Sequence, residues 1–201
     1  MSARPLRVEG AFAFTPKAFP DDRGAFLSPY QEPAFTAAVG HPLFPVAQTN
    51  HSISARDVVR GVHFTTTPPG SAKYVYCARG SALDIVVDIR VGSPTFGVWD
   101  SVLLDQSDHR AMYFPLGLGH AFVALEDDTV MSYMVSSSYV AEYELALSVL
   151  DPALEGLPLP DRTRMLLSER DAVAPTLAEA AEAGMLPVYE ECRRIEKAMY
   201  A

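Results

Sequence analysis

The sequence predicts a mainly β domain, a sandwich or a barrel, that ends in short helices. Residues 46–133 consist of short alternating runs broken by Gly, Pro, Asp and Ser, which is typical of sandwiches and barrels. Good helix formers are concentrated in the last quarter of the chain. At 201 residues the chain can bury one core without disulfides or metals. We therefore expect one domain over residues 1–201, with a barrel core at about 20–150 and a helical segment at about 170–201.

The alternation of side chains predicts the strands and their faces. Residues 72–79 place Lys73 on the same face as Val75 and Cys77, so we expect Lys73 to point inward. Clusters of turn-forming residues separate the strands that follow, at residues 92–94, 105–108 and 126–128. This spacing predicts a meander of antiparallel strands.

Two helices are expected near the C-terminal end. Residues 175–184 begin with a proline, continue with good helix formers and end with a glycine, which are the usual start and stop signals. Residues 190–200 are also expected to be helical. The proline-rich residues 152–160 between the strands and these helices are expected to form a surface connection.

Charge and cysteine content restrict the partners. With 16 Lys and Arg against 25 Asp and Glu, the formal net charge is −9, which disfavours nucleic acid and anionic membrane surfaces. The only cysteines, Cys77 and Cys192, lie far apart in the sequence and are expected to be structural. No signal peptide and no membrane-spanning apolar run is evident, so we expect a cytoplasmic protein.

One segment combines groups suited to carbanion chemistry. Arg60-Gly61-Val62-His63 is followed by Lys73, which places a base near fixed positive charge. The segment that ends in His120 and the strand that holds Tyr133 are expected to add a polar contact and a proton donor. Together these residues indicate carbanion chemistry.

Several motifs in the same order resemble one enzyme family. They are Arg23-Gly24, Gln48-Thr49-Asn50, Arg60-Gly61-Val62-His63, Ser93-Pro94-Thr95-Phe96-Gly97 and Ser168-Glu169-Arg170-Asp171. Over about residues 19–183 the sequence resembles the dTDP-4-dehydrorhamnose 3,5-epimerase family. It is most similar to epimerases of antibiotic deoxysugar pathways, especially a C5-epimerase for vancosamine-type sugars, through Ala78-Arg79-Gly80 and the segment 119–125.

The resemblance implies a cupin-like jelly-roll barrel, a homodimer and a dTDP-4-keto-6-deoxyhexose substrate. It implies an isomerase that needs no cofactor and no metal and that inverts a carbon beside the ketone. Inversion at C5 is favoured by the similarity to the vancosamine-type enzyme. Inversion at both C3 and C5, or at C3, is the alternative.

The resemblance also implies a role for each matching residue. His63 becomes the base, Asp171 the carboxylate that orients it, Tyr133 the acid on the opposite face of the sugar, and Lys73 the cation that stabilises the enolate. Two arginines, Arg23 and Arg60, are implied to bind the diphosphate. The remaining residues implied to hold sugar or nucleotide are Gln48, Thr49, Asn50, His120, Glu144 and Arg170.

These residue types fit the chemistry. Inversion beside a carbonyl requires proton removal from one face and delivery to the other. An ordinary His has a pKa near 6.5 and accepts a proton at neutral pH, whereas Tyr, near 10, donates one. Acid–base catalysis contributes about 10²–10⁴-fold, so the enolate charge must also be stabilised by Lys73 or a nearby dipole.

Two rival classes make different demands on the sequence. Pro115-x-Gly117-x-x-His120 resembles half of a metal-binding cupin motif, but no second histidine lies two residues from His63. A non-catalytic sugar-nucleotide-binding cupin would have no need of His63, Asp171 or Tyr133. All three residues are present, which favours the enzyme.

Some residues depart from the family pattern or receive no role. The departures are Ser28, Phe64, Thr65 and Ser138, which stand where the family usually has Glu, Tyr, Gln and an aromatic residue. Because a changed polar contact alters which sugar substituents are satisfied, the natural sugar is expected to be deoxygenated or aminated. His41, His51 and His109 are given no role, and Asp84 and Asp88 are open between structural and cavity-lining positions.

Overall fold

A computed structural model describes residues 1–200. The strands are β1 (Ser2–Pro5), β2 (Phe12–Thr15), β3 (Ala18–Asp21), β4 (Gly24–Leu27), β5 (Gln48–Ser54), β6 (Val59–Thr65), β7 (Lys73–Arg79), β8 (Ser81–Val87), β9 (Trp99–Asp105), β10 (Ala111–Phe114), β11 (Gly119–Ala124), β12 (Thr129–Val135) and β13 (Glu144–Ala146). The α-helices are α1 (Glu32–Val39), α2 (Glu169–Ala172), α3 (Leu177–Glu182) and α4 (Tyr189–Met199). Short 3₁₀ helices occupy Ala141–Tyr143 and Pro152–Leu154.

Two antiparallel sheets form the body of the fold. The six-stranded sheet has the order β1-β2-β10-β7-β12-β5, and the five-stranded sheet has the order β13-β6-β11-β8-β9. The side chains of Val75 and Cys77 on one sheet share a buried core with Val86 and Phe122 on the other. This arrangement confirms the expected mainly β, cupin-like jelly roll with short C-terminal helices.

The expected meander is wrong. The consecutive strands β7 and β8 belong to different sheets, and β7 pairs with β10 and β12 while β8 pairs with β11 and β9. Alternation identifies a strand and its inner face, but it carries no information about which strand is its neighbour. The expected start of the β core near residue 20 is also too late, because β2 already pairs with β10 in the six-stranded sheet.

Helices cover the outer faces of both sheets. Leu177 and Ala180 of α3 pack on the five-stranded sheet. Phe35 of α1 and Cys192 of α4 pack on the six-stranded sheet. Both cysteines are buried and unpaired, Cys77 between the sheets and Cys192 outside them, as expected for structural residues.

Both predicted C-terminal helices are confirmed. A capping box formed by Thr176 and Glu179 begins α3, and α4 begins one residue before its expected start. The eight-residue helix α1 was not expected. It is short and begins at Glu32 with a proline following, so its signal is weak in the sequence.

Asp88 has a structural position. Its carboxylate accepts hydrogen bonds from Arg90, Ser93 and Thr95, all within 3.0 Å. The Asp88–Arg90 ion pair is almost completely buried. The pair therefore fixes the loop between β8 and β9, away from the cavity described next.

Candidate active site

A cavity of about 380 Å³ lies between the two sheets. It is lined by Asn50, His51, Ser52, Arg60, His63, Thr65, Ser71, Lys73, His120, Phe122, Tyr133, Val135, Ser137, Ser138, Tyr139 and Glu144. The lining combines the strands of both sheets with the loop that follows β12. Ionisable side chains therefore face one another from opposite walls.

His63, in the wall of this cavity, and Asp171, beside it, form a hydrogen-bonded pair, called here the outer pair. His63 Nε2 lies 2.7 Å from Asp171 Oδ1, and the His63 side chain remains 30% exposed. Ser168 caps the first turn of α2 and so positions Asp171. Because Nε2 is engaged by the carboxylate, Nδ1 is the nitrogen left to accept a proton in the neutral ring.

The pKa values of the outer pair follow from burial and mutual attraction. Burial lowers the pKa of His63 below its ordinary value, and the hydrogen bond and charge of Asp171 only partly oppose this. Burial also disfavours the Asp171 carboxylate, but the contacts with His63, together with hydrogen bonds from Ser168 and Gly61, outweigh it and leave the pKa of Asp171 lowered. The result is a neutral imidazole beside an ionised carboxylate at neutral pH.

A second pair of the same kind lies deeper and is called here the inner pair. His120 Nε2 lies 2.7 Å from Asp84 Oδ1, and the His120 side chain is only 6% exposed. Asp84 is fully buried, and burial raises its pKa against the opposing attraction of His120 and Lys73. The His120 ring also contacts the ring of Tyr133 edge to face.

Gly61 allows the two pairs to lie side by side. On paired strands β6 and β11, His63 is directly opposite His120. Gly61 has a φ of +123°, and a Cβ atom there would lie 2.5 Å from the His120 carbonyl oxygen. Only glycine therefore permits the close approach of these strands at the bulge after His120.

Tyr133 and Lys73 face the pairs from the other sheet. Tyr133 belongs to β12, its hydroxyl lies 3.5 Å from Ser52 Oγ, and burial raises its pKa above the ordinary value. Lys73 of β7 lines the cavity, which confirms its inward orientation. Burial lowers the pKa of Lys73, whereas Glu144 and Asp84 raise it. Among residues 1–200, Lys73 has no carboxylate within 4.0 Å.

A second cavity of about 570 Å³ adjoins the first and shares its wall of Arg60, His63, Tyr139 and Glu144. Arg170 lines this second cavity. Glu144 accepts a hydrogen bond of 2.9 Å from Thr65, a residue where the sequence departs from the family pattern. The two adjoining cavities therefore contain two arginines, Arg60 in the shared wall and Arg170 in the second cavity.

Three of the predicted binding residues lie outside the cavity wall. Arg23 is on the exposed β3–β4 hairpin and pairs with Asp21. Thr49 is exposed on the outer face of β5, because residues along a strand alternate between faces. Gln48 supports the site from behind, since it donates to Asn50 Oδ1 and accepts from the backbone N–H of Tyr139.

Two departures from the family pattern also lie away from the cavity wall. Phe64 is fully buried in the core on the outer side of the five-stranded sheet. Ser28 follows β4 and does not contribute to the lining. Neither side chain therefore lines the cavity of its own chain, whereas Thr65 and Ser138 do; the effect of the four changes on the choice of sugar stays a prediction.

Sequence reasoning missed several residues of this region. Tyr139, one position after Ser138, lines both cavities and is 62% exposed. His51 and Ser52 also line the first cavity, and Asp84 engages His120. Asp84 could have been found from the sequence, because an aspartate among the alternating residues of a buried strand requires a partner for its charge.

The part of the chain that the structure describes has neither a metal-ligand cluster nor a membrane-spanning helix. Within residues 1–200, no three His, Cys, Asp or Glu side chains converge as a metal-ligand set. No helix in that range is long and apolar enough to cross a membrane.

The jelly roll and the ionisable groups that meet between its sheets define a cupin-like isomerase. A family model described as dTDP-4-dehydrorhamnose 3,5-epimerase matches residues 5–179. The chain therefore belongs to the dTDP-4-dehydrorhamnose 3,5-epimerase family.

Individual relatives agree with this assignment. The chain is 48% identical over 193 residues to the dTDP-4-dehydrorhamnose 3,5-epimerase of Mycolicibacterium smegmatis, covering 96% of this chain and 94% of the relative. It resembles NovW, a 4-keto-6-deoxy sugar epimerase from the novobiocin gene cluster of Streptomyces spheroides, with TM-score 0.91, 47% identity and coverage of 96% and 95%. It also resembles ChmJ, a 3'-monoepimerase from Streptomyces bikiniensis in complex with dTDP-quinovose, with TM-score 0.91, 44% identity and coverage of 100% and 99%.

Proposed function

We propose that this protein inverts the carbons beside the ketone of a dTDP-4-keto-6-deoxyhexose, at C3 and C5, in deoxysugar biosynthesis for an antibiotic or other natural product. One observation carries the proposal: His63 and Tyr133 face one cavity from opposite sheets. A flat enolate between them presents one ring face to a base and the other to an acid. That arrangement is the requirement for inversion without a cofactor.

His63 removes the proton. Its Nε2 donates to Asp171, so Nδ1 accepts the proton from the sugar carbon. The lowered pKa of His63 keeps the ring neutral at physiological pH, and Asp171 stabilises the imidazolium that forms.

Lys73 and His120 stabilise the enolate. As the C–H bond breaks, negative charge develops on the C4 oxygen, and a cation or N–H donor at that oxygen lowers the barrier. Lys73 comes from the six-stranded sheet and His120 from the five-stranded sheet, so both reach the cavity between His63 and Tyr133. Removing one such donor typically costs about 10²–10³-fold in rate.

Tyr133 delivers the new proton. Burial raises its pKa, so the hydroxyl is protonated throughout the physiological range and is ready to donate. The positive charge of Arg60 partly offsets the cost of the tyrosinate that remains after donation. Ser52, 3.5 Å from the hydroxyl, is placed to return a proton.

The second cavity receives the nucleotide. Arg60 and Arg170 supply guanidinium groups of the kind that bind diphosphate. Tyr139, exposed between the two cavities, provides an aromatic face for the thymine base. Gln48 fixes the backbone of Tyr139, and Glu144 is placed for a sugar or ribose hydroxyl.

A homodimer accounts for Arg23. The β3–β4 hairpin projects from the chain with Phe19 51% and Phe26 74% exposed. Two large apolar side chains on a two-stranded hairpin need cover, because such a hairpin is marginally stable alone. A second copy of the chain provides that cover, and its cavity then receives Arg23.

Inversion at C5 alone is the second candidate, favoured by the similarity of residues 119–125 to a vancosamine-type C5-epimerase. The Mycolicibacterium relative favours double inversion, and ChmJ is a 3'-monoepimerase. Proton NMR of dTDP-4-keto-6-deoxy-D-glucose incubated with the protein in D₂O separates these cases, because the H3 and H5 signals disappear independently. We expect both signals to disappear. Loss of the H5 signal alone would support the second candidate. If neither signal disappears, with this substrate or with deoxygenated and aminated ones, the protein is a non-catalytic binder.

A further inference from the structure

We propose that Asp84 is a positioning residue for both groups that stabilise the enolate: it fixes the ring of His120 and supplies the negative charge that faces Lys73. This inference rests on the proposed function. It assigns a role to a carboxylate that lies behind the cavity wall and does not itself line it.

The contacts of Asp84 are incomplete for a structural residue. Asp84 Oδ1 accepts from His120 at 2.7 Å, whereas Oδ2 is buried and has no hydrogen-bond partner among residues 1–200. An unpartnered buried carboxylate oxygen is unfavourable, so native proteins rarely retain one without a compensating gain. Functional sites are where such costs are retained.

Asp88, four residues further along the chain, provides the contrast. It is equally buried, but Arg90, Ser93 and Thr95 engage both of its oxygens. Asp88 therefore has the complete set of partners that a structural carboxylate needs. Asp84 lacks such partners at Oδ2, and its charge acts on Lys73, which lines the cavity.

Asp84 determines which nitrogen of His120 meets the substrate. Because Nε2 is held by the carboxylate, Nδ1 is the ring nitrogen available to the cavity. Asparagine at position 84 would present an amide that either donates or accepts, so the ring orientation and tautomer would no longer be enforced.

Asp84 also acts on Lys73 through its charge. Burial lowers the pKa of Lys73, and Glu144 and Asp84 oppose that effect. The other titratable side chains around the cavity are His51, Arg60, His63, His120, Tyr133 and Tyr139. Activity requires the Lys73 ammonium, so the rate falls as pH rises through its pKa. Without the Asp84 charge that pKa is lower, and the alkaline limb of the pH–rate profile moves to lower pH.

The test is the pH–rate profile of Asp84→Asn, measured as deuterium incorporation and product formation. We expect kcat to fall by about 10- to 100-fold, with KM nearly unchanged. This loss is smaller than that caused by removing a donor outright, which is about 10²–10³-fold. The alkaline limb should move to lower pH. The matched control Asp88→Asn changes a buried carboxylate outside the cavity and should leave that limb in place, even if it lowers stability. A wild-type profile for Asp84→Asn would overturn the proposal.

A second measurement is made on the wild-type protein and does not depend on any Asp84 variant. In ¹⁵N NMR of the wild-type histidine side chains, His120 should show a proton on Nε2 that is hydrogen-bonded to a carboxylate, assigned by its loss in His120→Gln. A bare Nε2 with the proton on Nδ1 would contradict the proposal. Failure of the proposed function is distinguishable, because the wild-type protein would then catalyse no incorporation of solvent deuterium into any dTDP-4-keto-sugar.

Discussion

The outer and inner pairs have the same two residue types and the same 2.7 Å contact between Nε2 and Oδ1, yet their surroundings differ. Gly61 N and Arg170 lie 3.5 and 3.8 Å from the Asp171 carboxylate, and the His63 side chain is partly exposed. The inner carboxylate of Asp84 is fully buried and has a free oxygen.

This difference teaches how one motif performs two tasks. In the outer pair the carboxylate is well stabilised and its pKa is lowered, so the histidine can take up and release a proton beside a permanent negative charge. In the inner pair burial raises the pKa of the Asp84 carboxylate, and both side chains are almost completely enclosed, so the pair is suited to fixing the orientation of the His120 ring rather than to exchanging protons with solvent. We infer that exposure, rather than distance, distinguishes the base from the positioned donor.

The strongest way to break both pairs together is Gly61→Ala. The new Cβ would lie within 2.6 Å of the His120 carbonyl oxygen and of Ala121, so strands β6 and β11 must separate. A displacement of 1 Å costs about 10²-fold, so displacing both pairs should lower turnover by about 10⁴-fold. Steady-state kinetics measure this. Gly92→Ala is the control, because Gly92 also has a positive φ but open space around it; equal losses in the two variants would contradict the close-approach argument.

Tyr133→Phe separates proton removal from proton delivery. The outer pair is intact in this variant, so deuterium exchange should continue, while formation of the inverted product should fall by about 10²–10³-fold. NMR in D₂O follows both quantities in one sample. Tyr74→Phe, which loses a hydroxyl bonded to Pro29 on the outer side of the same sheet, should behave like wild type. Undiminished inversion by Tyr133→Phe would remove Tyr133 from the mechanism.

Asp171→Asn tests the charge of the outer pair. The Asp171 charge raises the pKa of His63, so its loss lowers that pKa further. Activity needs neutral His63 and declines as pH falls through this pKa; the acidic limb should therefore move to lower pH. The rate should also fall by about 10–100-fold, since the imidazolium loses its partner. The control is Asp151→Asn, a buried carboxylate bonded to backbone N–H groups, and a matching shift in both variants would count against the assignment.

Chelation should have the smallest effect. Neither pair belongs to a three-residue ligand set within residues 1–200, so EDTA should leave turnover unchanged. The assay is turnover before and after EDTA treatment. A loss that one divalent metal restores would revive the metal-dependent alternative.

Much of the fold and the centre of the site could be predicted from local patterns. Alternation identified the inward face of Lys73, and a starting proline, good helix formers and a terminal glycine identified α3, because these signals depend on nearby residues. Strand pairing could not be predicted in this way, since it depends on which distant strands share a sheet. The meander was wrong for that reason.

The predicted binding residues illustrate the same limit. The family motif gives Gln48, Thr49 and Asn50 the same predicted binding role. In a strand, however, neighbouring side chains point to opposite faces, so Thr49 points outward. Arg23 lies on an exposed hairpin outside the cavity wall of its own chain, and a local motif does not reveal that position. Asp84 was undervalued because its partner His120 is 36 residues away in the sequence.

The most direct test of the central claim compares His63→Ala with His120→Ala in the deuterium-exchange experiment on dTDP-4-keto-6-deoxy-D-glucose. His63→Ala should show no enzyme-dependent exchange at C3 or C5, whereas His120→Ala should exchange slowly but measurably at the same carbons. Exchange that persists in His63→Ala and disappears in His120→Ala would assign the base to the inner pair and contradict the account.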